Sequence, residues 1–214
     1  MQVVIANFPL MLRGLRVTLA LAAVVIVSGT LLGLLAGVAL LYGPRWLRAL
    51  LRLYVDVLRG TPLLVQLFLI FYGLPVVGIP VTNFWAVVVG LSLFCTAHVA
   101  EIVRGAVAAV PKGQWDAARA IGLTFGPTLR HVILPQAVPT ALPPWTNTAV
   151  EMVKGTSLAY LLSVSDLLFA TQNIVERTGE AMPLYIAAAL IYFVVNFGLS
   201  RLVGWLERRM RYAT

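Results

Sequence analysis

Residues 101–144 read EIVRGAVAAVPKGQWDAARAIGLTFGPTLRHVILPQAVPTALPP, and this stretch decides how the rest of the chain folds. It interrupts a sequence that is otherwise close to continuously apolar. Because it carries Arg104, Lys112, Arg119 and Arg130, it cannot lie in hydrocarbon from end to end. The spacing predicts a short helix over 115–125, entered after Pro111. Asp116 then sits in the first turn, where the helix dipole favours a carboxylate, and Gly122 closes the far end. Ala117, Ala118 and Ala120 give that helix a thin face. A second helical start at Gly126-Pro127 is expected to be broken up by Pro135, Pro139 and Pro143-Pro144. A water-exposed, Ala-rich helix between apolar segments points to a surface built for another protein.

Outward from this stretch the chain is apolar in both directions. Of its 214 residues 60% are hydrophobic and 11% charged, against about 25% charged in a soluble domain. No linker or low-complexity segment divides it, so residues 1–214 read as one all-α membrane domain. Five transmembrane helices are expected, at about 17–42, 53–74, 84–107, 142–165 and 182–205, with a polar loop over 171–180 before the last. The first is read as a retained span, too long for a signal-peptide core and without a cleavage site. Along it Gly29, Gly33 and Gly37 repeat every four residues, a stripe on which another helix can pack closely.

The net charge of +8 does not point to nucleic acid, because the basic residues flank apolar runs instead of forming one face. With five spans, one set of loops holds Arg45, Arg48, Arg52, Lys112, Arg119, Arg130, Arg208, Arg209 and Arg211. The other holds only Arg13, Arg16 and Arg177. Excess basic charge stays in the cytoplasm, which places the N-terminus outside and the C-terminus and the 101–144 stretch inside. Arg13 and Arg16 oppose that assignment. The single Cys95 rules out an internal disulfide.

Three carboxylate–base pairs share one spacing: Asp56 with Arg59, Glu101 with Arg104, and Glu151 with Lys154. Residues three apart share a helix face, so each pair is expected to neutralise itself. The first two fall near an inner boundary and read as fold-holding ion pairs. Glu151 lies deeper, with Asn147 one turn before it, and reads as functional. His98 reads as a helix–helix hydrogen-bonding residue; with His131 the only other histidine, no metal-ligand cluster is available. The chain has no GxxxxGK[ST] and no GxSxG motif, so ATP hydrolysis would have to come from elsewhere.

The central stretch resembles the permease subunits of bacterial ABC importers for polar amino acids, of the type I architecture. The family's cytoplasmic loop runs EAA, then G, then LPQA; here stand Asp116-Ala117-Ala118, Gly122 and Leu134-Pro135-Gln136-Ala137. Glu101-Ile102-Val103-Arg104-Gly105, Pro111-Lys112-Gly113-Gln114 and Leu142-Pro143-Pro144 match as well. So do Leu58-Arg59-Gly60-Thr61-Pro62 and Lys154-Gly155-Thr156-Ser157-Leu158, and the likeness covers essentially the whole chain. Asp116 replaces the family's usual Glu, His98 its usual tyrosine, and Gly155 a common aspartate.

The resemblance implies a fold of five spans with a cytoplasmic coupling-helix loop at about 111–135. Gly113, Trp115, Asp116, Ala117, Ala118 and Gly122 would meet the ATP-hydrolysing subunit. Substrate would meet Glu151, Asn147 and Ser157 on the fourth span, with Asp56, Gln66 and His98 from its neighbours; a carboxylate such as Glu151 suits a cationic amino acid. It also implies a multi-pass protein of the bacterial inner membrane, paired with a second permease subunit (the same or different). Its other partners would be two ATP-binding subunits and an extracytoplasmic binding protein. The chain itself would carry no cofactor, ATP and Mg being held by the partner. Two other readings compete: an ion-gradient-driven secondary transporter using Asp56, Glu101 and Glu151, and a non-transporting membrane anchor. Paired half-repeats expected of the former are not visible, and the latter has no need of Glu151 and Asn147 inside a span.

Overall fold

The computed structural model describes residues 2–211, and among them every regular element is helical. Helix α1 (Gln2–Tyr42) is followed by α2 (Arg45–Gly60), α3 (Leu63–Val76) and α4 (Asn83–Ala108). Then come α5 (Lys112–Ala120), α6 (Phe125–Thr128), a π-helical turn (Leu129–Ile133) and α7 (Leu134–Gly155). A 3₁₀ segment (Thr156–Leu162), α8 (Leu167–Thr178) and α9 (Ala181–Arg211) complete the chain. Three helices are continuous, long and apolar enough to cross a membrane: α1, α4 and residues Ala181–Trp205 of α9. Two bent pairs, α2 with α3 at 111° and Phe125–Leu162 with α8 at 48°, raise the number to as many as five if each is one span.

The glycine stripe explains the central packing. Gly29, Gly33 and Gly37 are buried against α4; a Cβ built at each would lie 2.5 Å, 2.5 Å and 2.6 Å from the Cβ atoms of Cys95, Val99 and Val103. Two registers of four residues therefore mesh, and only glycine on α1 permits it. The Ser28 and Ser92 hydroxyls meet at 2.8 Å across the same contact, and Trp145 Nε1 donates to Thr30 Oγ1 at 3.0 Å, fastening α7 to α1. Leu21, Val25, Leu67, Leu91 and Met152 fill the core around this seam.

At one end Met11, Leu167, Ile174 and Leu184 form a second cluster. There buried Asp166 caps α8 by accepting from the Phe169 amide at 2.8 Å, and it also accepts from the Tyr192 hydroxyl at 3.2 Å. At the other end Ala106, Val107, Ile133 and Ala137 close a third cluster beneath α5, with Trp115 packed on it.

Several expectations change. The first helix starts at Gln2, so the residues before 17 are part of it. The expected span 53–74 is two helices: Thr61, ahead of Pro62, is driven to extended backbone (φ −114°, ψ 147°), which ends α2. The prolines at 139, 143 and 144 do not break the fourth span; α7 runs through them. They lie four residues apart (with Pro144 beside), so the missing N–H donors fall along one stripe, and the π-helical turn before them absorbs the offset. The expected polar loop over 171–180 is mostly α8, which starts at a carboxylate cap and ends at Gly179 with φ +73°. The short helix spans Lys112–Ala120, so Asp116 is not in its first turn.

Candidate functional site

Helix α7 is buried on one side only. Ala149, Met152 and Val153 are within 3% of full burial, while Asn147, Glu151 and Lys154 are exposed from the chain's own core. Spaced by four and three, those three lie on one stripe. The Glu151 carboxylate and Lys154 ammonium form no ion pair with each other, and neither do Asp56 and Arg59. Among the described residues only Glu101–Arg104 and Asp116–Arg119 pair at this spacing.

Asn147 shares a cleft of about 400 Å³ with Arg59, His98, Glu101, Thr140 and Thr148, between α4, α7 and the end of α2. His98 Nδ1 lies 3.0 Å from the Phe94 carbonyl, and a carbonyl only accepts, so that contact puts the proton on Nδ1 and leaves Nε2 free as acceptor. The Phe94 ring, 4.3 Å away centre to centre, fixes the imidazole. Arg104 grips Glu101 with two nitrogens, Nε at 2.9 Å from Oε2 and Nη2 on Oε1. Pro144 lines the same wall, and lacking an N–H it leaves the Thr140 carbonyl without its helical donor, an acceptor beside the cleft.

The other expected residues lie elsewhere. Asp56 lines a smaller cleft of about 240 Å³ with Arg52 and Arg104, on the far side of Glu101. Ser157 Oγ donates to the Lys154 carbonyl at 2.7 Å and faces a groove between α7 and α9. Gln66 does not line the cleft. Its buried amide nitrogen reaches the Leu58 carbonyl (2.7 Å), the Thr61 carbonyl (3.0 Å) and Thr61 Oγ1 (2.8 Å), bracing the α2–α3 elbow. Arg59, Glu101, Thr140 and Thr148 are polar lining residues that the expected substrate set did not include. Arg59 reads with Asp56 as a self-neutralising pair, but on the last turn of α2, just ahead of Thr61-Pro62, it lines the cleft and forms no ion pair with Asp56.

Helix α5 packs on the end of the bundle by one face only. Gly122 adopts φ +82°; its N–H bonds the Arg119 carbonyl at 2.9 Å, and Leu123 N–H bonds the Ala118 carbonyl at 3.0 Å, a two-bond C-terminal cap that favours glycine. Ala118, 3% exposed, and the half-buried Trp115 turn inward. Trp115 stacks on Phe125 (6.1 Å, 20°), and Tyr42, the last residue of α1, packs edge-on to Phe125 at 4.7 Å. Of the expected coupling residues, Gly113, Asp116, Ala117 and Gly122 face outward. Asp116 is held by Arg119 Nη2 at 2.6 Å. Ile121, 77% exposed, adds an outward apolar side chain that the alanine pattern did not reveal. No group of three or more His, Cys, Asp or Glu able to hold a metal occurs among the described residues.

Residues 29–212 match the family model described as a binding-protein-dependent transport system inner membrane component. The L-cystine transport system permease protein TcyB of Bacillus subtilis (strain 168) is 39% identical over 95% of this chain and 87% of its own length. The glutamine transport system permease protein GlnP of Escherichia coli (strain K12) is 35% identical over 95% and 94%. Among solved structures, a chain in the crystal structure of an amino acid ABC transporter with histidines superposes with a TM-score of 0.90. It is 36% identical, and the likeness covers 96% of both chains. The MetNI methionine ABC transporter shares the fold at a TM-score of 0.80 with 22% identity, over 94% of this chain and 96% of that one.

Proposed function

The chain belongs to the binding-protein-dependent transport system inner membrane components, and from that membership we propose that it is the permease subunit of an ATP-driven amino acid importer. It is an integral inner-membrane protein whose family works with ATPase subunits and a substrate-binding protein. The observation that carries the reading is the stripe Asn147–Glu151–Lys154, which faces out of this chain's own core. A charge left against hydrocarbon costs about 2.5–3.5 kcal/mol on insertion scales. The stripe therefore faces a water-filled path closed by a second permease subunit, identical or not. His98, Arg59 and Glu101 border the same path from beside Asn147. Glu151 offers an ammonium or guanidinium group its charge partner, which favours a cationic amino acid; Asp56 and Ser157 act at the flanks of the path.

Two ATP-binding subunits hold ATP and Mg in this reading, and each grips an α5 through Gly113, Asp116, Ala117 and Ile121. Their closure moves α5, and the Trp115–Phe125–Tyr42 contact passes that movement to α1 as a rigid-body shift. The basic residues of α2 and of the α5 hairpin lie in the cytoplasm, with five spans and the N-terminus outside. Purification of the intact assembly followed by a substrate-stimulated ATPase screen tests the reading. An ATP-hydrolysing companion whose turnover rises with an amino acid and the binding protein is expected. An assembly without such a companion would overturn it.

A further inference from the structure

We propose that the cleft between α1 and α8, at the end of the bundle remote from α5, binds the phosphate headgroup of an anionic phospholipid. This cleft of about 270 Å³ takes Arg13 and Val17 from α1, and Phe169, Asn173 and Arg177 from α8, with Ser165 just before α8. Each wall supplies one guanidinium, and no carboxylate lines the space. Neither Arg13 nor Arg177 forms an ion pair among the described residues. Of the nearby carboxylates, Asp166 is fully buried at the cap of α8 and Glu176 accepts from Gln172 Nε2 at 3.2 Å; Glu180 lies past the end of α8, outside the cleft, and pairs with neither arginine. Two forked guanidiniums, one on each wall of an otherwise largely apolar cleft that also holds Ser165 and Asn173, fit a phosphate's oxygens.

The walls are fixed before any ligand arrives. A Cβ at Gly14 would lie 2.6 Å from the Asp166 carbonyl oxygen and 2.9 Å from Ala170 Cβ, so α1 and α8 touch there. The Leu167 amide donates to Thr18 Oγ1 at 3.1 Å just inside. Depth selects a lipid as the source of the phosphate. Tyr42, at the α5 end, is separated from Arg13 by about 43 Å of helix at ~1.5 Å per residue, close to the ~40–45 Å thickness of a bilayer with its headgroups. Around Arg13 the exposed large hydrophobic residues of α1 are Phe8, Leu10, Leu12 and Leu19, a surface that lipid covers, with exposed Arg16 beside them at headgroup depth. Val17 and Phe169 line the cleft beneath the guanidiniums, where acyl chains begin.

Native mass spectrometry of the intact purified transporter, titrated with phosphatidylglycerol and phosphatidylcholine of matched chains, tests the proposal. The wild type is expected to retain phosphatidylglycerol in preference, by about fivefold for each guanidinium. The double variant R13Q/R177Q should lose that preference, and R16Q, exposed but outside the cleft, should keep it. If the double variant does not accumulate, R177Q alone, on the exposed last turn of α8, should lose about fivefold. Equal retention of the two lipids by the wild type, or an unchanged preference in the double variant, overturns the proposal. Displacement of the lipid by inorganic phosphate at equal concentration would assign the cleft to free anions instead. Loss of binding-protein-stimulated ATPase activity by the double variant in pure phosphatidylcholine would assign it to an acidic protein surface.

Discussion

At the scale of single residues, missing side chains matter as much as present ones. Gly33 was legible as a packing position because glycine repeats every four residues through 29 and 37. The sequence held no hint, however, that Val99 would be its partner 2.5 Å away, because that depends on the register of two helices. Gly33→Val should therefore push α1 off α4 and lower stability by about 1–3 kcal/mol, read as a drop in melting temperature in detergent. Gly198→Ala, where an added Cβ meets open space, should leave it unchanged or slightly raised. The depth of Glu151 in an apolar run suggests a functional role, and its expected pairing with Lys154 is not formed. Its freedom from that pairing gives a second prediction. Glu151→Gln should weaken uptake of a cationic amino acid by about tenfold, on the order of 1.4 kcal/mol, and uptake of a neutral one much less. Equal losses measured side by side would remove Glu151 from the substrate path.

At the scale of elements, the short helix was found by its alanines and its capping glycine, yet it starts three residues and ends five residues earlier than the sequence suggests. Pro111 allows a helix to begin at once at Lys112, and Gly122 closes it before Phe125. Burial divided its face: Ala118 and Trp115 hold it to the bundle, and Gly113, Ala117 and Ile121 remain for a partner. Gly122→Val would force a β-branched side chain into φ +82° and loosen the cap, with no clash inside the chain. Membrane insertion and assembly should survive while ATP hydrolysis continues with uptake reduced at least tenfold; tightly coupled uptake in that variant would count against the docking role. The prolines of α7 were misread for a physical reason. In water the lost N–H bonds stop a helix, whereas inside a packed membrane bundle, neighbouring helices and a π-helical turn accommodate them. The α2–α3 elbow was hidden in the same way: its brace, Gln66, looks in sequence like a polar residue awaiting a ligand.

At the scale of the whole molecule, the class and the presence of a short helix between apolar segments were legible because hydrocarbon tolerates so few charges that each interruption carries meaning. The shape of the spans was less so. Three straight helices are long and apolar enough to cross, and two further stretches are bent pairs; a hydropathy pattern does not distinguish a straight span from a bent pair. The grouping of side chains into the cleft was also out of reach. His98 and Asn147 came together as expected, while Asp56, Gln66 and Ser157 were separated by the angle of α2 and the turn after α7. In the proposed function the scales meet in a path through the membrane, bordered by α7, that would move only when α5 is moved from outside the bilayer. Amino acid uptake into vesicles carrying the complete assembly, with ATP supplied and no ion gradient, tests this most directly. The account predicts uptake that stops when ATP hydrolysis is blocked; uptake that continues under that block would contradict it.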